Sequence, residues 1–140
     1  MSIVVKTGKF SWKTIFRFLP ALIWMALIFY GSSRQKVAIT ENYWLSFAFF
    51  KSLHIIEYGI LFLFWRFALF GKTYGVKAAI VFSIFYGITD EFHQSFMPGR
   101  EGRLRDVFID ALGVLIFWRF ILNKLEITCN KNKILKFFFH

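Results

Sequence analysis

Residues 89–110 read T-D-E-F-H-Q-S-F-M-P-G-R-E-G-R-L-R-D-V-F-I-D, and their composition differs from that of the flanking chain. This stretch holds five of the eight carboxylates in the protein, one histidine, three arginines and a Pro-Gly pair. The segments on both sides are dominated by apolar residues. Because a polar segment between apolar runs needs a physical reason, we predict that residues 89–110 form the functional centre.

The overall composition is that of an integral membrane protein. The chain has 140 residues, of which 57% are hydrophobic and 21 are phenylalanine, and its mean hydropathy is +0.53. One small soluble domain cannot bury that much apolar surface, so we predict a single membrane domain over residues 1–140. The net charge of +10 comes from cations beside apolar runs, where they contact membrane lipids. This placement argues against nucleic-acid binding.

Four apolar runs predict four membrane-spanning helices. They cover about residues 15–31, 52–70, 76–94 and 106–123, and a basic aromatic tail follows at 124–140. The fold class is therefore all-α, a polytopic bundle of four transmembrane helices. The first run also fits a cleaved secretory signal, although we expect it to be retained as a helix. Residues 34–51 are expected to form a loop or a short interfacial helix.

The distribution of lysine and arginine predicts the orientation of the bundle. With both termini cytoplasmic, twelve of the eighteen cations lie near cytoplasmic helix ends and six lie near external ends. Cytoplasmic segments of membrane proteins carry such an excess of cations. Trp12, Trp65 and Trp118 then lie at the inner interface, where tryptophan is enriched.

Polar residues at the predicted external end lie at helical spacing on three helices. The three faces consist of His54, Glu57 and Tyr58; of Tyr86, Asp90, His93 and Gln94; and of Asp106, Asp110 and Gly113. An ionisable group within a span costs at least about 2.5 kcal/mol, so such groups face a bundle interior and pair there. We therefore predict that the three faces contact one another and enclose a polar pocket that is open to the outside.

Two interpretations of this pocket remain open. Its histidines and carboxylates suit a divalent cation, although the spacing identifies no particular cofactor. The same residues also suit a buried hydrogen-bond network that holds the helices together. The candidate catalytic residues, as acid, base or metal ligand, are Glu57, Asp90 and His93. The candidate substrate-binding residues beside them are His54, Glu91, Gln94, Asp106 and Asp110.

Three arginines in the loop before the fourth helix are candidates for recognition of an anion. A guanidinium group pairs bidentately with phosphate or carboxylate, and Arg100, Arg103 and Arg105 all lie on the predicted external side. The alternative is that they neutralise the neighbouring acids of the loop and helix. Arg100 is the strongest candidate because it directly follows the Pro98-Gly99 turn.

Three motifs resemble those of the VanZ-like family of small bacterial membrane proteins. They are His-x-x-Glu-Tyr at 54–58, Asp-Glu-Phe-His-Gln-Ser-Phe-Met-Pro-Gly-Arg at 90–100, and Asp-x-x-x-Asp-x-x-Gly at 106–113. The resemblance covers about residues 15–122, and Asp110 stands where an asparagine is more common. It implies a bundle of membrane helices and, for the founding member, low-level resistance to the glycopeptide teicoplanin. It implies no particular reaction.

We therefore predict a bacterial cell-envelope protein that crosses the cytoplasmic (inner) membrane several times. Its external pocket would bind or modify an anionic surface or lipid-linked molecule. The alternatives are a non-catalytic binder, a small transporter or a structural membrane scaffold. The sequence decides neither whether the protein is an enzyme nor its oligomeric state.

Overall fold

The computed structural model describes residues 12–34, 40–98, 100 and 102–122, and all regular secondary structure in these ranges is helical. The helices are α1 (Trp12–Phe16), α2 (Leu19–Ser32), α3 (Tyr43–Ala68), α4 (Gly75–Gln94) and α5 (Leu104–Ile116). A π-helical segment, Phe117–Leu122, continues α5. The all-α prediction is thus confirmed for this part of the chain. The predicted tail at 124–140 lies outside the described residues.

The first predicted helix is present in two pieces. Arg17 and Phe18 form a turn between the two pieces, and Pro20 lies in the first turn of α2. Proline has no backbone N–H, so it is tolerated in the first turn, where that group would have no partner inside the helix. The predicted run of 15–31 therefore contains a break before Leu19, and α2 ends at Ser32.

Helix α3 is longer than predicted. We expected residues 34–51 to form a loop or interfacial helix and the second span to begin at residue 52, but α3 begins at Tyr43. Asn42 caps it, since the side-chain oxygen of Asn42 accepts hydrogen bonds from the backbone N–H groups of Trp44 (3.0 Å) and Leu45 (3.3 Å). As a result, His54 and Glu57 do not open a helix. They lie about three to four turns inside one.

Helices α4 and α5 lie close to their predicted positions of 76–94 and 106–123. The backbone N–H of Arg100 donates to the carbonyl of Met97 (3.1 Å), and this bond closes a turn that contains Pro98. The predicted turn after α4 is therefore present. Asp106 and Asp110 lie in the first two turns of α5, as expected.

Helix α3 is the central element and contacts α2, α4 and α5. The fully buried residues Tyr58, Leu61 and Phe62 of α3 pack with Val114 of α5 and Ala79 of α4. Aromatic side chains form two of the hydrogen bonds between α2 and its neighbours. Trp24 of α2 donates from Nε1 to the Glu57 carbonyl (2.9 Å), while the Tyr86 hydroxyl of α4 donates to the Met25 carbonyl (2.6 Å).

Gly113 permits the close approach of α5 to α3. A Cβ atom at this position would lie 2.8 Å from the Cα of Ile55 and still closer to its carbonyl oxygen. Backbone atoms cannot move away by rotating a side chain. The prediction from sequence that Gly113 allows a close helix crossing is therefore supported by the geometry.

We expect Gly113→Ala to lower stability by about 1–3 kcal/mol, because the added methyl group forces α3 and α5 apart. The melting temperature of the detergent-solubilised protein measures this effect. Gly31→Ala is the matched control, since no atom lies within 4 Å of a Cβ atom at Gly31. Equal melting temperatures for the two variants would contradict the close crossing.

The distribution of polar and apolar residues around α4 and α5 is the inverse of that in a soluble bundle. Helix α4 buries Ser83, Gly87, Asp90, Glu91 and Gln94 and exposes a stripe of large apolar residues at Val81, Phe85, Ile88 and Phe92. Helix α5 likewise buries Asp106 and Asp110 and exposes Phe108, Leu112 and Leu115. Polar groups inside and apolar groups outside are typical of helices surrounded by lipid.

One helix in the described ranges, Tyr43–Ala68, is long and apolar enough by itself to cross a membrane. Helix α2 is also apolar but has only 14 residues. The apolar character of the chain and the exposed stripes together indicate association with a membrane.

Candidate functional site

A cavity of about 210 Å³ opens where α2, α3 and α4 meet the loop between α4 and α5. It has room for roughly seven water molecules at about 30 Å³ each. Its polar lining residues are Ser32, His54, Glu57, Asp90, Gln94 and Arg100. Five of these six are residues that the sequence analysis assigned to catalysis or binding, so the cavity brings together five of the eleven predicted site residues.

Asp90 is fully hydrogen-bonded at the wall of the cavity. Its Oδ1 atom accepts from the Ser32 hydroxyl (2.6 Å), and its Oδ2 atom accepts from Gln94 Nε2 (2.8 Å). Only 3% of Asp90 is exposed. Asp90 therefore links α2 to α4, and both of its oxygens already have protein donors.

Glu57 differs from Asp90 because its carboxylate forms no hydrogen bond with other described residues. The charged groups near it are those of His54, Asp90, Asp110 and Arg100. Glu57 is partly accessible and lines the cavity. Its carboxylate is thus the acceptor that the cavity can offer to a ligand.

Arg100 joins the loop to the end of α2. Its Nε and Nη2 atoms donate to the carbonyls of Arg34 (2.7 Å) and Gly31 (2.9 Å), and Nη1 donates to Gln94 Oε1 (3.3 Å). The Gly31 carbonyl lies in the last turn of α2 and also accepts from the Arg34 backbone N–H (3.3 Å), so the guanidinium adds a charged donor at this helix end. A guanidinium has five N–H donors, and these three bonds leave two of them for a ligand.

The charge of Arg100 is maintained at neutral pH. Burial lowers the pKa of Arg100, whereas the carboxylates of Asp90, Glu91 and Glu57 favour the cation and raise it. Because a guanidinium group in a protein does not lose its proton, Arg100 remains cationic. The cavity therefore contains a fixed positive charge next to acidic side chains.

A second polar cluster lies behind the cavity, between α3, α4 and α5. His54 and Asp110 bond through Nδ1 and Oδ1 at 2.8 Å, and Asp110 is fully buried. Glu91 accepts a hydrogen bond at Oε2 from the backbone N–H of Arg103 (3.1 Å). One donor atom from each of His54, Glu91 and Asp110 lies within 4.8 Å of the others. The His54–Asp110 bond joins two of the three predicted polar faces, and Glu91 brings α4 into the cluster from outside the face predicted for that helix.

Lys51 and Asp106 form a buried ion pair nearer to the start of α5. Lys51 Nζ lies 2.6 Å from Asp106 Oδ2, and the two residues are 9% and 4% exposed. Arg105 makes a longer contact with Asp106, from Nε to Oδ1 at 3.5 Å, and its guanidinium lies over the Phe47 ring. Sequence reasoning missed Lys51 because it placed this residue in a loop. The three-residue spacing of Lys51 and His54 was the signal that they share a helix face.

The other predicted residues lie outside the cavity wall. His93 stacks on Phe29, with ring centroids 4.2 Å apart, and does not line the cavity. Asp106 pairs with Lys51, and Arg105 is exposed. Arg103 is exposed as well and contributes its backbone N–H to Glu91. Of the three predicted arginines, only Arg100 reaches the cavity.

The comparisons with known proteins agree with the resemblance noted from the motifs. The model of the VanZ/LLP1 family matches residues 12–125, which is most of the chain. No curated protein and no solved structure matches the chain. The matched region contains every described helix and all the residues of the cavity. The chain therefore belongs to the VanZ/LLP1 family.

Proposed function

We propose that this protein crosses the bacterial cytoplasmic membrane several times and binds or modifies an anionic envelope molecule in its external cavity. The observation that carries the proposal is the position of Arg100. Arg100 lines a polar cavity, is held in place by three hydrogen bonds and keeps two N–H donors without a partner among the described residues. A fixed planar donor of this kind suits phosphate or carboxylate.

The cavity also favours a particular kind of anionic ligand. Arg100 offers donors to an anionic group, while Glu57 offers a carboxylate that lacks a protein partner among the described residues. A simple anion would meet the negative charges of Glu57 and Asp90. A ligand with a hydroxyl or ammonium group beside its anionic group would instead satisfy both sides. Phospholipid headgroups and lipid-linked sugar phosphates have this chemistry.

The size of the cavity supports a headgroup rather than a whole lipid. Sites for drug-sized ligands usually occupy about 300–1,000 Å³, whereas this cavity has about 210 Å³. A phosphate with a short polar substituent is the size of ligand that fits. The acyl chains of such a ligand would remain in the surrounding bilayer.

Helix lengths and exposed surfaces support the proposal of four spans. A bilayer core of about 30 Å needs about 20 helical residues. Helix α4 has 20 residues and α3 has 26; α5 together with its π-helical continuation runs from Leu104 to Leu122. Helices α1 and α2 together run from Trp12 to Ser32. With apolar stripes facing outward, each of these four units suits a passage through lipid.

The contacts of the predicted external cations support the orientation with both termini cytoplasmic. Lys51 pairs with Asp106, and Arg100 donates to two backbone carbonyls and Gln94. Both cations make contacts inside the protein, and these contacts account for their presence at the external end. Lys51 and Arg100 therefore do not contradict the orientation that the excess of cations at the opposite end indicates.

Cysteine labelling tests the orientation. In a protein with Cys129 replaced by serine, we expect Ser95→Cys to react with an impermeant thiol reagent on intact cells. Lys72→Cys, in the turn between α3 and α4, is expected to react only after lysis. Both side chains are exposed, so accessibility does not differ between the two sites. The opposite pattern of labelling would reverse the proposed topology.

Lipid retention tests the function itself. Native mass spectrometry of the protein in mixed micelles should show more retained phosphatidylglycerol and phosphatidylethanolamine than phosphatidylcholine, whose headgroup has no hydrogen-bond donor. Glu57→Gln should reduce this preference without lowering the melting temperature. Glu41→Gln, which changes an exposed glutamate, is the matched control. Equal retention of the three lipids would contradict recognition of a lipid headgroup.

A structural scaffold is the second candidate, because the cavity residues also connect helices. Asp90 joins α2 to α4, and Arg100 joins α2 to the loop. A non-catalytic binder or small transporter would use the same cavity without chemistry. In a teicoplanin-susceptibility assay, loss of function in Glu57→Gln at normal abundance would favour a ligand site over a scaffold, since the Glu57 side chain has no such connecting contact among the described residues.

A further inference from the structure

The geometry points to a divalent transition-metal site at His54, Glu91 and Asp110, beneath the cavity. One donor atom of each residue lies within 4.8 Å of the others, and the three residues come from α3, α4 and α5. An imidazole with two carboxylates is a donor set that suits Zn²⁺ or Mn²⁺. This site does not depend on the anion-binding role proposed for Arg100.

Unpartnered oxygens at the centre of the cluster provide independent support. Asp110 bonds to His54 through Oδ1, but its Oδ2 has no hydrogen-bond partner among the described residues. Glu91 accepts from Arg103 at Oε2, and its buried Oε1 likewise has no described partner. Asp110 is 0% and Glu91 4% exposed. A buried carboxylate oxygen without a donor is costly, and a bound cation removes that cost.

The hydroxyl of Tyr58 is a third buried oxygen that has no hydrogen-bond partner among the described residues. The Tyr58 ring and Asp110 Oδ2 face the same space beside Gly87, since a Cβ atom at Gly87 would lie 3.3 Å from each. Gly87 therefore keeps this space open.

The balance of charge also favours a cation. Within the described part of the chain, no lysine or arginine side chain forms an ion pair with Glu91 or Asp110, and His54 is the charged partner of Asp110. Lys51, the nearest buried lysine, is already paired with Asp106. Two carboxylates and one imidazole in a membrane interior lack the positive charge that such groups require. A divalent ion supplies it.

The distances are close to those of a metal site. Bonds of about 2.0–2.2 Å place the ligand atoms of a tetrahedral ion roughly 3.4 Å apart. Donor atoms within 4.8 Å need only small side-chain rotations to reach that separation. His54 belongs to both the cluster and the cavity wall, so the cavity gives an ion a route from the membrane surface.

Metal content of the purified full-length protein tests the site. After chelator treatment, reloading with Zn²⁺ or Mn²⁺ and desalting, we expect one metal ion per chain and a raised melting temperature. Mg²⁺ should not raise it comparably. His54→Asn and Glu91→Gln should each weaken binding at least about tenfold. His93→Asn and Glu57→Gln should leave the metal content unchanged, because neither residue belongs to the cluster.

If the cluster variants fail to fold, a spectroscopic measurement on the unaltered protein still tests the metal site. Pulsed electron paramagnetic resonance of the Mn²⁺-loaded protein should detect coupling to one imidazole nitrogen. A spectrum of hydrated Mn²⁺ alone, metal loading that depends on His93, or no retained metal would each overturn the proposal. If the protein retains no metal while its lipid retention still depends on Glu57, that result would refute the metal site and leave the proposed function intact.

Discussion

Lys51→Met is expected to destabilise the protein by about 3–5 kcal/mol, because it leaves Asp106 charged and buried without its closest partner. Lys51 Nζ lies 2.6 Å from Asp106 Oδ2, and both residues are almost fully buried. Arg105 does not replace Lys51, since its Nε lies 3.5 Å away and half of its side chain is exposed. The expected result is a large fall in melting temperature and in the amount of folded protein.

A second substitution separates the lost ion pair from other effects at Lys51. We expect Lys51→Met combined with Asp106→Asn to recover most of the stability, since no unpaired charge remains. Lys72→Met, at an exposed lysine, should change little. A normal melting temperature for Lys51→Met would show that Lys51 lies outside the bundle, and α3 would then begin closer to residue 52 than to Tyr43.

The start of α3 shows why part of the fold was not predictable from composition. Tyr43, Trp44 and Phe47 are residue types that also favour a headgroup boundary, so an interfacial loop fitted them equally well. The local signal for a helix was Asn42, which is a favoured N-cap residue. In contrast, the boundaries of α4 were predictable because Gly71 and Pro98 interrupt the apolar pattern on both sides.

The position of His93 shows a similar limit in the candidate site. Each residue of an α-helix advances by about 100°, so Gln94 lies about 40° to one side of Asp90 and His93 about 60° to the other. Helix α4 buries Asp90, Glu91 and Gln94, and in this orientation His93 stacks on Phe29. Spacing alone placed Asp90, His93 and Gln94 on one face. Which side of that face is buried depends on the neighbouring helices.

The acceptors of Arg100 also lay beyond sequence reasoning. Gly31 and Arg34 precede Arg100 by more than 60 residues, and only the packing of the loop on α2 brings them together. The sequence therefore identified Arg100 as the best candidate but offered only anion binding or neutralisation of acids as its role. The structure adds a third role, which is to hold the C-terminal end of α2.

Arg100→Lys is expected to impair function nearly as much as Arg100→Ala. A lysine has one compact ammonium group and cannot donate to Arg34, Gly31 and Gln94 while also holding a ligand. Loss of a hydrogen bond to a charged group costs about 1.5–3 kcal/mol, so retention of phosphatidylglycerol should fall about 10- to 100-fold. Teicoplanin susceptibility of cells that express the variant should approach that of cells without the protein.

Arg105→Lys is the matched control, because Arg105 is exposed and does not line the cavity. It should retain nearly full function, as should the same exchange at Arg103. Melting temperatures of all three lysine variants show how much of any loss comes from weaker attachment of α2.

The comparison of stability with lipid retention decides between the roles of Arg100. If Arg100 only holds α2, Arg100→Lys will lower the melting temperature, and lipid retention will fall only in proportion to the fraction of unfolded protein. If it also binds the anion, lipid retention will fall even at a temperature where the variant is fully folded, because the guanidinium donors that would hold the ligand are lost. Full function of Arg100→Lys would remove the anion-binding role, and Glu57 and the cluster at His54 would then be the remaining candidates for ligand binding in this cavity.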